Sequence, residues 1–281
     1  MSAIKISIIT VNLNNKIGLE ETIKSVITQR NFRDCEFIIV DGGSSDGSID
    51  VIQKYKSKIS YWISEPDNGI YCGMNKGVKE AKGDLCIFLN SGDCFYCSNV
   101  IESILKLKYY DVDFIAGNYY IDQQLKYSPK KISGRFMFET SLCHQAVFIR
   151  TSLLKDTPYR EDYKIVSDWI MMYESLILSN AKYLYTNLVI CTYDSQGYSS
   201  KNWFLLAQER ERYLMSRLPS RIYEDYVIMI QSLKLKHIAP KLIDILSKQK
   251  LDVWEEKMII FIMNGLVFFR RIKGRLWKWK P

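Results

Sequence analysis

Over its first 120 or so residues the chain alternates short β-branched runs with segments of helical spacing, and that alternation narrows the fold more than any other feature. The runs "IKISIITV" (4–11), "EFIIV" (36–40), "SYWIS" (60–64), "LCIFLN" (85–90) and "DFIAGN" (113–118) read as buried strands. Between them, Leu19, Ile23, Val26 and Ile27 mark a helix over 18–30. Val51, Ile52 and Tyr55 mark a second, and Tyr71, Met74, Asn75 and Val78 share one face of a third. A fourth is expected near 98–108. Strand and helix at this interval imply βαβ units and an α/β fold with a mostly parallel sheet. With 281 residues, 47% of them hydrophobic, the chain can bury one large core and still carry an appendage.

Sheets of this kind place ligand sites at the carboxyl ends of their strands. The first expected strand runs into Asn12, Asn14 and Asn15, the second into "DGGSSDGS" (41–48), the third into "EPDNG" (65–69) and the fourth into "NSGD" (90–93). Any one of these is ordinary turn or cap chemistry. Four of them on one edge point to a single polar site.

Charge and cysteine usage exclude other classes. The net charge is +8, but Arg270, Arg271, Lys273, Arg275, Lys278 and Lys280 fall in the last twelve residues with no acid among them, leaving the remainder near +2. A nucleic-acid-binding domain spreads its basic residues over a folded face, so no nucleic-acid partner is expected. Seven cysteines at irregular spacing are not a disulfide framework and fit a reducing compartment. Cys94 and Cys97 form a C-x-x-C without further zinc ligands or a thioredoxin-like context. No secretory signal is expected, and "GGSSDG" is not the G-x-G-x-x-G of a dinucleotide enzyme.

Taken together, "ISIITVNLNN", "FIIVDGGSSDGS", "SEPDNGIYCGMNKG" and "FLNSGD" resemble, in order and spacing, the family 2 glycosyltransferases, most closely those of bacterial O-antigen, capsule and exopolysaccharide assembly. The likeness is dense over about the first 95 residues and thinner through "CHQAVFIR" (143–150), "SDW" (167–169) and "QGYSS" (196–200). It implies the GT-A fold, a Rossmann-like α/β domain over 1–200 with a helical C-terminal region over 201–281. Residues 1–118 would bind a nucleotide sugar and 119–200 the acceptor.

The resemblance also implies roles. Asp41 would accept from a pyrimidine N–H or a ribose hydroxyl, with backbone groups near Thr10 and the Asn12 side chain flanking the nucleotide and Asp67 close to the donor. Asn90 and Ser91 would join the donor contacts. Asp93 would touch a divalent cation, Mn²⁺ or Mg²⁺, that neutralises charge building on the diphosphate. The family often carries Asp-x-Asp there; Ser91-Gly92-Asp93 lacks the first acid, which leaves metal dependence open. Asp168 matches the later acid that deprotonates the acceptor hydroxyl, although Ser167-Asp168 is equally the shape of a helix N-cap. His144 and Gln145 would lie on the acceptor or phosphate side, or serve as structural hydrogen-bonders. "QGYSS" matches a loop that closes over the donor, or is an ordinary turn.

After about residue 200, helical spacing replaces strand-like runs, over 202–217, 222–235, 239–249 and 252–279. The apolar "MIIFIMNGLVFF" (258–269) is too short to span a bilayer, and the basic segment with Trp277 and Trp279 follows it. Residues 258–281 therefore suit an interfacial anchor on an anionic cytoplasmic leaflet, or else a helix packed on the catalytic domain. The expected activity is inverting transfer of one sugar from a nucleotide sugar, a UDP-sugar by preference, to a lipid-linked saccharide at the inner face of the plasma membrane. No Q-x-x-R-W of processive synthases is present. Two rivals remain: a non-catalytic nucleotide-sugar binder at the membrane, and a sugar-phosphate nucleotidyltransferase, whose arginine-rich first loop "VNLNNKIG" does not supply.

Overall fold

The computed structural model describes residues 5–107, 111–193 and 202–229. The expected strands stand side by side as β3 (Tyr61–Ser64), β2 (Cys35–Asp41), β1 (Ile6–Asn12) and β4 (Leu85–Phe88), all parallel. The helices α1 (Lys16–Ile27), α2 (Ser48–Lys54), α3 (Ile70–Glu80) and α4 (Val100–Leu105) intervene in sequence. Every residue of β1 is buried, Ser7, Thr10 and Asn12 included, as expected of a central strand covered on both faces. Ile6, Ile8, Leu19, Ile23, Phe37 and Ile87 share one apolar cluster between sheet and helices.

Beyond β4 the sheet turns antiparallel. Next to β4 comes β8 (Val147–Arg150), then β6 (Phe114–Ile121), β9 (Tyr183–Tyr193) and the short β5 (Cys94–Phe95), while β7 (Gln124–Lys126) forms a hairpin with β6. Only the β6–β9 pair is parallel in this half. The sheet is thus mixed, with helices flanking it, and apart from the β6–β9 pair its parallel order lies in the first four strands. Antiparallel neighbours need no crossover helix, so strand–helix alternation announced only β6 of this half, as the expected strand over 113–118.

Where β6 meets β9, a Cβ added to Gly117 would lie 2.4 Å from Ile190 Cγ1 and 2.7 Å from the Leu188 carbonyl oxygen. A side chain can move aside but a paired backbone cannot. Gly117→Ala is expected to cost about 3 kcal/mol, read as a lower urea midpoint at unchanged slope.

The first compact unit extends beyond residue 200, to Pro219, and a second runs from Ser220 to Pro281. The first unit includes α5 (Gly134–Glu139), α6 (Thr151–Asp156), α7 (Ser167–Tyr173) and α8 (Trp203–Arg217). α8 belongs there for a physical reason: Tyr213 is buried against Trp169, and Glu209 accepts from the Lys164 and Ile165 amides at 2.8 and 2.9 Å. Of the second unit, 220–229 is helical. The loop 196–200, the expected helices over 239–249 and 252–279, and the tail 258–281 lie outside the described residues. Among the described residues no helix is long and apolar enough to cross a membrane.

Candidate active site

The carboxyl ends of β1, β2, β3 and β4 converge, and their turns are bonded to one another. The parallel register sets Asn12 beside Asp41 and Asp41 beside Ser64. Asp41 has no exposed surface. Its carboxylate accepts from the Gly43 and Ser44 amides, the Ser44 and Ser64 hydroxyls and Asn12 Nδ2, at 2.6–3.2 Å. Burial pushes its pKa up, but these hydrogen bonds outweigh burial and hold the carboxyl below its ordinary value. Five donors saturate a carboxylate. In this structure Asp41 is the knot that shapes the turn. The Thr10 side chain is fully buried and its hydroxyl donates to the Leu89 carbonyl at 2.6 Å.

Asn12 behaves differently. It is 1% exposed, and its amide nitrogen serves Asp41 and Ser44. Its Oδ1 is buried without a partner, and turning the amide over would press that oxygen against the Asp41 carboxylate. Asn12 therefore holds out an acceptor at the end of the central strand. Asp67 borders the same turn, with Oδ1 on the Gly69 amide and Oδ2 3.1 Å from where a Gly42 side chain would begin.

The turn after β4 explains its lone acid. Asp93 Oδ2 accepts from the Asn90 amide at 3.0 Å, while the Asp93 amide returns a bond to the Asn90 carbonyl at 2.9 Å. Gly92 sits at φ +104°, a backbone conformation that glycine alone adopts readily. Thr22 of α1 pins the turn, donating to the Asp93 carbonyl at 2.8 Å and accepting from the Gly92 amide at 3.0 Å. Asn15 caps α1 through Gly18 and reaches the Ser91 carbonyl at 2.9 Å. Asp93 remains 8% exposed.

A second chain of contacts starts at the same turn. Asn90 Nδ2 lies 3.4 Å from His144 Nε2, and His144 Nδ1 lies 3.2 Å from Asp168 Oδ2. The Tyr71 hydroxyl lies 2.8 Å from Asp168 Oδ1. Neutral His144 with its hydrogen on Nδ1 suits both neighbours. For the imidazolium, turning over the Asn90 amide, whose Oδ1 is buried without a partner, supplies an acceptor. Burial pushes the His144 pKa down, but the Asp168 carboxylate outweighs it and raises the ring above its ordinary value. Burial likewise pushes Asp168 up, and His144 and Tyr71 outweigh it, so the carboxyl sits below its ordinary range. Asp168 is therefore ionised at neutral pH. It does not cap α7: that helix starts from Val166 with no side-chain cap, which removes the N-cap alternative.

Expected site residues from four turns and two later segments thus meet, except that Gln145, among the described residues, engages Cys143, accepting from its Sγ at 3.2 Å. Sequence reasoning passed over Tyr71, Thr22 and Asn75. Asn75 brackets Tyr159, donating to its carbonyl at 2.8 Å and accepting from its amide at 2.9 Å, and so ties α3 to the segment before Asp168. The only advance signal was the common face of α3 on which Tyr71 and Asn75 lie. Among the described residues no group of three or more His, Cys, Asp or Glu could hold a metal, and the cysteines are free thiols. Asp93 would be one hard oxygen ligand for Mg²⁺ or Mn²⁺, with phosphate oxygens completing the shell.

Comparison with known proteins gives the family and the fold. The model of glycosyl transferase family 2 matches residues 7–173, more than half of the chain. An uncharacterised glycosyltransferase of Mycobacterium tuberculosis is 30% identical over 211 residues, 71% of this chain and 78% of its own. Among solved structures, S. aureus TarS 1–349 in complex with UDP superposes with a TM-score of 0.62 at 15% identity, covering 91% of this chain and 78% of that one. A mannosyltransferase from Pyrobaculum calidifontis in complex with GDP-Man and Mn²⁺ gives 0.62 at 13% identity, covering 97% and 82%. At these identities the two structures establish the fold.

Proposed function

Because the chain belongs to glycosyl transferase family 2 and is a glycosyltransferase with the GT-A fold, we propose that it transfers one sugar, with inversion, from a UDP-sugar to a lipid-linked saccharide of a cell-surface polysaccharide. The observation that carries the reading is the contact chain Asn90–His144–Asp168, which puts an ionised carboxylate beside the turn that presents Asp93. Inverting displacement needs a base on the acceptor side and charge stabilisation on the diphosphate side. Asp168 would take the acceptor hydroxyl proton. Asn12 Oδ1 and Asp67 would meet the nucleoside at the ends of β1 and β3. Asp93, with the donor's phosphates, would hold the divalent cation, whose chemistry is to neutralise the leaving diphosphate. Uridine is supported by the UDP complex of TarS, and a cation by the Mn²⁺ complex of the mannosyltransferase.

The lipid-linked acceptor and the cytoplasmic face of the plasma membrane are supported by the sequence of the tail, in which an apolar run over 258–269 precedes six basic residues. The test is nucleoside diphosphate release from UDP-glucose, UDP-galactose, UDP-N-acetylglucosamine and GDP-mannose, with and without Mn²⁺ and a bacterial lipid extract. Release from one UDP-sugar, stimulated by both additions, is expected. Stimulation confined to GDP-mannose would reassign the nucleotide, and no stimulation by lipid would remove the lipid-linked acceptor.

A further inference from the structure

The Tyr71 hydroxyl has one hydrogen and two acceptors. Its oxygen lies 2.6 Å from the Ile165 carbonyl oxygen and 2.8 Å from Asp168 Oδ1. Both acceptors are within full hydrogen-bond range, and a phenol can satisfy only one at a time. Tyr71 is 5% exposed, so no water competes freely for the hydrogen. The ring is clamped: it packs on Tyr159 at 5.6 Å between centroids, and Asn75, one turn further along α3, grips the backbone of residue 159. The C–O bond can still turn where the ring cannot.

We propose that Tyr71 is a positioning residue whose hydroxyl changes partner during the reaction, from Asp168 to the Ile165 carbonyl, as Asp168 takes up the acceptor's proton. The inference rests on Asp168 being the base. While Asp168 is a carboxylate, a bond to charge is the stronger of the two on offer, and it fixes the oxygen that must face the acceptor. In the step itself the acceptor O–H breaks, a carboxyl O–H forms on Asp168, and the acceptor oxygen bonds to the anomeric carbon as the diphosphate leaves. Tyr71 keeps its own proton throughout. Once Asp168 is neutral its oxygen is a weaker acceptor, and a carbonyl stands ready at 2.6 Å. The buried phenol is never left unpaired, which would otherwise add to the barrier. The titratable groups around Asp168 are His144, Tyr71 and Tyr159, with Asp93 and Cys143 acting through His144.

The test uses the full chain without ligand, then with donor. The chain has two histidines, so His237→Gln leaves His144 as the sole imidazole in an NMR titration. If the resting Tyr71 hydrogen is on Asp168, Tyr71→Phe frees carboxylate charge for the ring and moves the His144 titration to higher pH. Fluorinated tyrosines at position 71 are stronger donors of the same shape and move it to lower pH. An unmoved His144 titration in both would mean that Tyr71 bonds Ile165 permanently, and would overturn the proposal. Turnover of a UDP-sugar should fall several-fold along the fluorotyrosine series, because a stronger bond to the charged ground state must be given up in the step. Turnover independent of phenol acidity would overturn the change of partner. Should Asp168→Asn turn over at the wild-type rate, Asp168 is not the base and the proposal falls with it. Should that variant be inactive while the fluorotyrosines have no effect, the base stands and Tyr71 alone is refuted.

Discussion

Asp168→Asn is expected to lower donor turnover by about a thousandfold, within the range that a positioned general base supplies, with donor affinity unchanged. The substitution keeps the shape and removes the charge. His144 and Tyr71 keep a neighbour to bond, so the fold should hold. What disappears is the group that partner bonds hold ionised at neutral pH despite its burial. A pH signature should accompany the loss. The His144 pKa is raised in the folded state against burial by Asp168. A raised folded pKa contributes stability that is fully present below the ordinary imidazole value and is lost as pH rises through the folded one. Asp168→Asn should therefore flatten the fall in stability across that interval. Thermal unfolding at several pH values reads the second effect, and nucleoside diphosphate release reads the first. Turnover within a few-fold of wild type would remove Asp168 from the chemistry.

The second large effect concerns stability. Asp41→Ala deprives Gly43, Ser44, Ser64 and Asn12 of a buried acceptor in one step. Hydrogen bonds to a charged group are worth about 1.5–3 kcal/mol each, and donors left buried and unmade cost more than the bonds net. The turn can relax and recover part of this, so a loss of about 4 kcal/mol is expected, or about 10 °C in Tm for a chain this size. The sign with pH is opposite to that of His144. The Asp41 carboxyl is held below its ordinary value, so its contribution is present above the ordinary carboxylate range and is lost as pH falls through the folded value. Asp41→Ala should thus lose less stability on acidification than the wild type. Donor affinity should drop together with Tm. A drop in affinity at unchanged Tm would restore Asp41 as a direct nucleotide contact.

These two acids show what was legible in the sequence. Asp41 was singled out by a strand end and by family likeness and Asp168 by family likeness alone, and both lie at the candidate site. The reading of Asp168 as a proposed base rather than a cap depended on His144 and Tyr71, the latter 97 residues away, and no local pattern announces such partners. The saturation of Asp41 follows from parallel register: Ser64 on β3 and Asn12 on β1 become its neighbours only once three strands align. The parallel half of the sheet was readable because each strand is followed by a helix of clear period. β9 was not, because its pairing with β6 reaches across about seventy residues and carries register shifts near Asn118. Helix boundaries moved by a cap or two, as at Asn15, which starts α1 earlier than the apolar spacing alone suggests. The place of α8 in the first unit turned on Glu209 gripping the segment before Asp168, a contact that composition could not indicate.

The measurement that tests the central claim most directly is thermal unfolding of the wild type and of Asp93→Ala with UDP, GDP or no nucleotide, each with and without Mn²⁺. A ligand that binds the folded state alone must raise its Tm. The account expects Mn²⁺ alone to do little, because among the described residues no group of three or more His, Cys, Asp or Glu could hold it, and UDP with Mn²⁺ to raise Tm by several degrees in the wild type. Asp93→Ala should lose the Mn²⁺ increment and keep the smaller shift from UDP. No shift with either nucleotide, in protein shown to be folded, would contradict a donor site at the ends of β1 to β4.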